Sequence, residues 1–222
     1  MAPAIAGGAE RGLWLSDPAE RADLATFVRH AKRLDDAAVI RLRARSSGLV
    51  AAWVATGFDV LASRVVAGTV RPEDLSVGAD GLADGLAAMD TSGYVDPGYP
   101  MDSAWRGALP PDSGFAHVDD VPARVMLELA QRGARLAKEH GSSHGPPVSL
   151  LDQEVIQVSS ADVAVGLPMR CVFALTAMGF LPQSPIGAGE MIRIRVRPAW
   201  LRLDARFGSV YRRRGDPALV LR

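Results

Sequence analysis

The residues with the clearest chemical potential are arginines set at every second position. Arg41, Arg43 and Arg45 alternate with Ile40, Leu42 and Ala44, and Arg193, Arg195 and Arg197 alternate with Ile192, Ile194 and Val196. Arg212, Arg213 and Arg214 follow further along the chain. A guanidinium is planar, permanently charged and well shaped for phosphate or carboxylate oxygens. Period two places each set of three on one face of a strand. Together these nine arginines form a candidate anion- or nucleic-acid-binding surface. The simpler alternative is a solvated sheet face, neutralised by acidic side chains on neighbouring strands.

Other constellations lack the geometry that their chemistry needs. Gly141-Ser142-Ser143-His144-Gly145 matches the spacing of a nucleophile elbow, but it follows a helix, runs into Pro146-Pro147 and has no later histidine. His140 and His144, with His117, Asp119 and Asp120 as distant helpers, fall short of a fixed three- or four-ligand site. His30 has no partner nearby in sequence. Asp152 and Glu154 could be paired carboxylates, but nothing local raises a pKa there, so they read as solvated charges. Gly78, Gly81 and Gly85 have the wrong spacing for phosphates, and Gly187 and Gly189 precede a strand rather than a helix. Cys171 is the single cysteine; no intrachain disulfide can form, and its apolar surroundings suit a buried thiol. No catalytic residue, metal ligand or cofactor is assigned.

Residues 159–181 (SSADVAVGLPMRCVFALTAMGFL) resemble the helix–turn–helix of winged-helix regulators. That resemblance implies a recognition helix at 169–179, a basic wing over 191–214 and contacts in the major groove. Two departures weaken it. The stretch before Gly166 alternates like a strand, and the presumed recognition helix offers only Arg170 and Thr176 to base edges.

The bulk numbers exclude several classes. The 222 residues are 48% hydrophobic and 23% charged, unlike a disordered chain. Formal net charge is zero, so no global field draws the molecule to nucleic acid or membrane. The charge is uneven: Glu190 to Arg222 carries nine arginines against three acids, a net of +6, leaving −6 on the rest. Lys32 and Lys138 are the only lysines. With abundant Ala, Gly, Val and Asp, this bias suggests a GC-rich bacterial genome. MAPAIAGGAER lacks the pattern of a secretory leader, and no apolar run is long enough for a span. A cytoplasmic location and no membrane partner are therefore expected.

The elements that must position these residues are legible from periodicity. Asp17-Pro18 opens a helix with Leu24, Phe27, Val28 and Ala31 on one face, ending near Leu34. Strands are expected at 38–45, 49–56 and 58–67, then a short helix capped by Asp80 with Leu82, Leu86 and Met89 inward. Residues 91–118, rich in Pro, Gly and aromatics, read as an ordered strap. Asp120 and Pro122 start a helix that Gly141 ends. Residues 153–167 read as a hairpin, and Pro168 opens a helix closed by Gly179. Strands follow at 191–197 and 200–206, and a last one at Val210–Arg213 or Leu219–Leu221.

The expected fold is α+β: two similar halves, each a small antiparallel sheet packed against helices. The divisions are 1–90, a strap at 91–118, and 119–222 with the basic strands. VIRLRARSSGLVAAW and MIRIRVRPAW share a strand–turn–strand rhythm, consistent with an internal duplication. WRGALPPDSGFAHVDDVPA and LTAMGFLP resemble conserved proteins of unknown function from high-GC Gram-positive bacteria, a resemblance that brings no activity or cofactor. The first functional reading is a non-enzymatic binding or scaffolding protein whose partner is a second copy of itself or another protein. The alternatives are nucleic-acid binding through the C-terminal arginine-rich strands, or a small-molecule enzyme whose site assembles only in three dimensions, near Trp105, Arg106 and His117.

Overall fold

The computed structural model describes residues 11–140, 146–161, 163–182 and 189–215. Two compact units divide the chain: Met1–Trp53 with Val65–Arg106, and Val54–Arg64 with Gly107–Arg222.

The first unit holds β1 (Gly12–Leu15), α1 (Pro18–Leu34), β2 (Val39–Arg45), the start of β3 (Leu49–Thr56), the end of β4 (Val60–Arg71), β5 (Asp74–Gly78), α2 (Ala79–Ala87) and β6 (Tyr94–Val95). Its strands run in the order β5-β2-β3-β4, with β1 joined to β4 and β6 to β1. Ile40 and Leu42 are fully buried while Arg41, Arg43 and Arg45 are half-buried, as period-two alternation requires. Leu24, Phe27, Val28 and Ala31 of α1 and Leu82 and Leu86 of α2 fill the core. Met89 lies past the end of α2 and is half-buried.

The second unit holds β7 (Ala116–Pro122), α3 (Ala123–His140), α4 (Val148–Asp152), β8 (Glu154–Ser159), β9 (Ala164–Pro168), α5 (Met169–Ala177), β10 (Met191–Arg197), β11 (Trp200–Ala205) and β12 (Gly208–Arg213). Its main sheet runs β12-β11-β10-β7, and Leu61–Ser63 of β4 complete it beside β12. β8 and β9 form a separate antiparallel pair. Ile192, Ile194 and Val196 are buried, with their alternate arginines outward.

Three helices begin in the same way. β5 runs directly into α2, β7 into α3 and β9 into α5. Neither α2 nor α5 has a side-chain cap. Instead the first helical N–H of each of the three donates 2.9 Å to a carbonyl: Ala79 to Ala38, Ala123 to Glu190, and Met169 to Gln153. Each acceptor is the residue just before the antiparallel partner strand, β2, β10 or β8. One orphan donor of every such helix is thereby satisfied at the end of a strand pair. α1 differs: the Asp17 carboxylate accepts from Ala19 and Glu20 at 2.7 and 3.1 Å, as its sequence led us to expect.

Some expectations need correction. Asp120 and Pro122 do not start α3; they lie in β7, held by register to Arg193 and Met191 of β10. Cross-strand pairing outweighs the local capping signal there. β1 and β5 are too short for their periodicity to register. The helix–turn–helix reading of 159–181 also fails, because 154–159 and 164–168 form the hairpin. The last described strand is β12, and 219–221 lie outside the described residues.

The irregular stretch after β6 has a structural task. Pro100 bridges Val77, Met101 N donates to Ser76 O at 2.7 Å, and Ser76 N donates to Asp102 Oδ1 at 2.6 Å. These bonds cover the outer edge of β5, which would otherwise present unpaired donors and acceptors. Asp90 organises the turn before β6 by accepting from Ser92 N, Ser92 Oγ and Tyr94 N, and these bonds hold its carboxyl below the usual range. No helix among the described residues is long and apolar enough to cross a membrane.

The shared junction yields a test. Proline is normally tolerated at the first helical position. Ala79→Pro is expected to cost about 1–3 kcal/mol nonetheless, because it leaves the Ala38 carbonyl without its donor. Urea unfolding of the variant beside wild type measures this; unchanged stability would show the junction bond to be dispensable.

Candidate functional site

A charged concavity lies in the first unit, between α1 and α2. The apolar stripe of α1 faces inward, so its opposite face is fixed by the 3.6-residue period. Arg29 and Arg33 fall on the outward side, Arg21, Ala25 and Lys32 are half-buried on its flank, and Leu86 and Ala83 of α2 form the other wall. The groove has a volume of about 530 Å³. Gly85 lets α2 sit close to the chain beyond β6: a Cβ there would lie 1.8 Å from Asp96 O.

Electrostatics separate these cations. Lys32 bonds to Asp80 across the two helices, and that bond raises the pKa of its ammonium. Arg29 donates to Thr26 Oγ1 at 3.3 Å. Among the described residues, Arg21, Arg29 and Arg33 form no ion pair. Arg33 lies twelve residues beyond Arg21, roughly 18 Å along the helix at its usual rise. The sequence signal for this row is the spacing Arg21, Ala25, Arg29, Arg33 along the helix that Asp17-Pro18 opens, which is less conspicuous than alternate arginines on a strand.

The strand arginines are held differently. Arg41 makes two 2.7 Å bonds to Asp74, which raise its pKa, and its guanidinium lies 5.7 Å from the centre of the Trp105 ring. Arg195 pairs with Asp204 at 2.9 Å. Arg197 donates to Ser113 O at 2.8 Å, and Arg212 meets Asp152 at 3.3 Å. Arg193 and Arg213 are exposed; Arg43, Arg45 and Arg214 are half-buried. The two ladders belong to different units, each on its own strand.

Arg170 has another fate than base contact. Its side chain is only 8% exposed, bonded to the Asp152 carboxylate and to Phe58 O at 2.7 Å. Asp152 is therefore the nearer counter-ion of a buried guanidinium, with Asp59 at 3.7 Å as the second, rather than a solvated strand-edge charge. It sits at the end of α4. Glu154 accepts from Gln157 at 2.6 Å. Burial pushes the Cys171 thiol up to about 12. His117 bonds Asp120 at 3.0 Å. Among the described residues no cluster of three or more His, Cys, Asp or Glu could hold a metal ion. The Gly141–Gly145 motif, His144 and Gly187 lie outside the described residues, and so does the His140 side chain.

The comparisons fit a two-part chain. Residues 8–107 match the model of a domain of unknown function (DUF8010), and residues 110–217 match that of a second (DUF8185). The chain carries two domains of unknown function. No curated protein matches the sequence. Solved structures do resemble the fold. A protein named as a DNA polymerase III β subunit from Eubacterium rectale superposes with a TM-score of 0.57 at 11% identity, over 91% of this chain and 64% of that one. The Caulobacter crescentus β sliding clamp gives 0.54 at 12% identity, over 93% and 65%. The β subunit of the Streptococcus pyogenes DNA polymerase gives 0.56 at 11%, over 95% and 67%. The fold is thus sliding-clamp-like, and the chain spans about two-thirds of those proteins' length.

Two outcomes check this account. Cys171 should resist a thiol-reactive dye at pH 8 in the folded protein and react only as denaturant exposes it, since the thiolate is scarce far below its pKa. Asp152→Asn should destabilise the protein by about 1–3 kcal/mol, because a charge-assisted bond to a buried guanidinium is lost; calorimetry or urea titration reads it.

Proposed function

We propose that this protein is a non-enzymatic, clamp-like scaffold that holds nucleic acid against the α1 face of its first unit. The observation that carries this reading is the row of Arg21, Arg29 and Arg33, none paired with a carboxylate among the described residues, along an open groove. Phosphates repeat closely along a duplex, and an aligned row of guanidinium groups neutralises several of them without reading base edges. Such contact is independent of sequence. The likeness to proteins named as DNA polymerase β subunits and sliding clamps supports it at the level of fold. The reading places the protein in the cytoplasm, needs no cofactor, and includes self-association or a protein partner alongside nucleic acid.

A labelled DNA duplex of arbitrary sequence tests it by fluorescence anisotropy. Binding is expected to weaken with salt, with a log–log slope of about −3 for three neutralised phosphates. Arg29→Ala and Arg33→Ala should each reduce that slope by about 1. Arg193→Ala and Arg195→Ala serve as the comparison for the strand arginines. A stronger loss from that pair than from the α1 variants would move the interface to the strands; no binding at low salt would end the nucleic-acid reading. Light scattering of the same samples is expected to show a species larger than the monomer.

A further inference from the structure

In the second unit the groove between α3 and α5 has the opposite character. Leu127, Ala130, Ala134 and Ala137 line it from α3, and Phe173 and Phe58 close it. The two rings lie 5.9 Å apart at 43°. Its volume is about 450 Å³. Gly133 creates the close approach of the helices: a Cβ there would sit 2.9 Å from Phe173 Cζ and 3.0 Å from Met169 Sδ. The alanines then leave an open floor where larger residues would fill it. Of the two polar side chains at its edge, Thr176 already donates to Val172 O at 2.9 Å, which leaves Gln131.

We infer that this groove docks an amphipathic helix with an acidic flank. Two arguments select that occupant. Both walls are helices whose backbone groups are engaged internally, so no sheet edge is available to pair with an extended peptide. A segment entering an apolar groove must satisfy its own backbone, and a helix does so. The charge of the rim chooses the flank. Stepping 100° per residue around α3, Lys138, Arg124 and Arg135 come next to the floor on its open side, ahead of Glu128. All three cations are exposed, and none forms an ion pair among the described residues. A floor almost without polar atoms has nothing to offer a phosphate, so this surface is distinct from the basic groove of the first unit. The spacing of Leu127, Ala130, Ala134 and Ala137 accommodates apolar anchors at i, i+3 or i+4, and i+7 of the partner helix.

The probe is a fluorescein-labelled 18-residue peptide with leucine at those anchor positions and glutamate on the flanks. Counterparts carry lysine for glutamate, or serine for leucine. Anisotropy against the full chain should show binding of the glutamate peptide, with at least about tenfold weaker binding of both counterparts, the scale expected for loss of anchors or of charge match. Ala134→Arg, at an exposed position, should abolish binding while circular dichroism and the DNA affinity of the α1 face stay unchanged. The double change Arg135→Glu and Lys138→Glu should invert the preference between the glutamate and lysine peptides. Equal binding of those two peptides, or none of the glutamate peptide, would overturn the inference. Loss of a wild-type dimer on Ala134→Arg would overturn it too, assigning the groove to a second copy of the chain.

Discussion

The junction in which a strand becomes a helix without a loop is the constraint on which the rest depends. A helix that starts at the residue after a strand must find a partner for its first N–H nearby, and α2 and α5 have no side-chain cap to help. The carbonyl preceding the paired strand is in place at Ala38, Glu190 and Gln153. Because the strand pair and the helix start share that bond, the helix departs at the end of the ladder and returns across one face of the sheet. Its apolar stripe must then meet that face, and its polar side must look outward. The repetition of one bond at three helix starts is also the best structural argument for repeated units, stronger than the similarity of two arginine-bearing strands.

Helix periodicity gives each unit a groove, whether the helix starts at such a junction, as α3 does, or at a side-chain cap, as α1 does. In one unit the outward side of α1 carries Arg21, Arg29 and Arg33; in the other, the outward edge of α3 carries leucine and alanine. Corresponding places in similar architecture have taken opposite surface chemistry. A charged row suits a polyanion, whereas an apolar floor with a cationic rim suits a partner that brings its own hydrogen bonds and negative charge.

Zero net charge conceals how differently the arginines are used. Arg41, Arg195 and Arg212 spend much of their charge on Asp74, Asp204 and Asp152. Arg170 is desolvated and depends on Asp152 and a backbone carbonyl. Arginine density along the sequence therefore points to the strands, while the row without carboxylate partners on α1 is spread more thinly along the chain. Local density says how much charge is present; only the position of the acids decides how much remains for a ligand.

The sequence by itself determined the period of each long element: α1 with its Asp17 cap, the alternation of β2 and β10, the β8–β9 hairpin, and the burial of Cys171. Those features follow from interactions within a few residues, which recur in any compact fold. Tertiary structure decided whatever depends on partners distant along the chain. Asp120 and Pro122 look like a helix start and become a strand because β10 pairs with them. Arg170 looks like a surface contact and is buried because Phe58 O, 112 residues away, receives it. Asp74 neutralises Arg41 across 33 residues. Long-range pairing has no local signature, because its free energy resides in contacts that exist only once the sheet has formed.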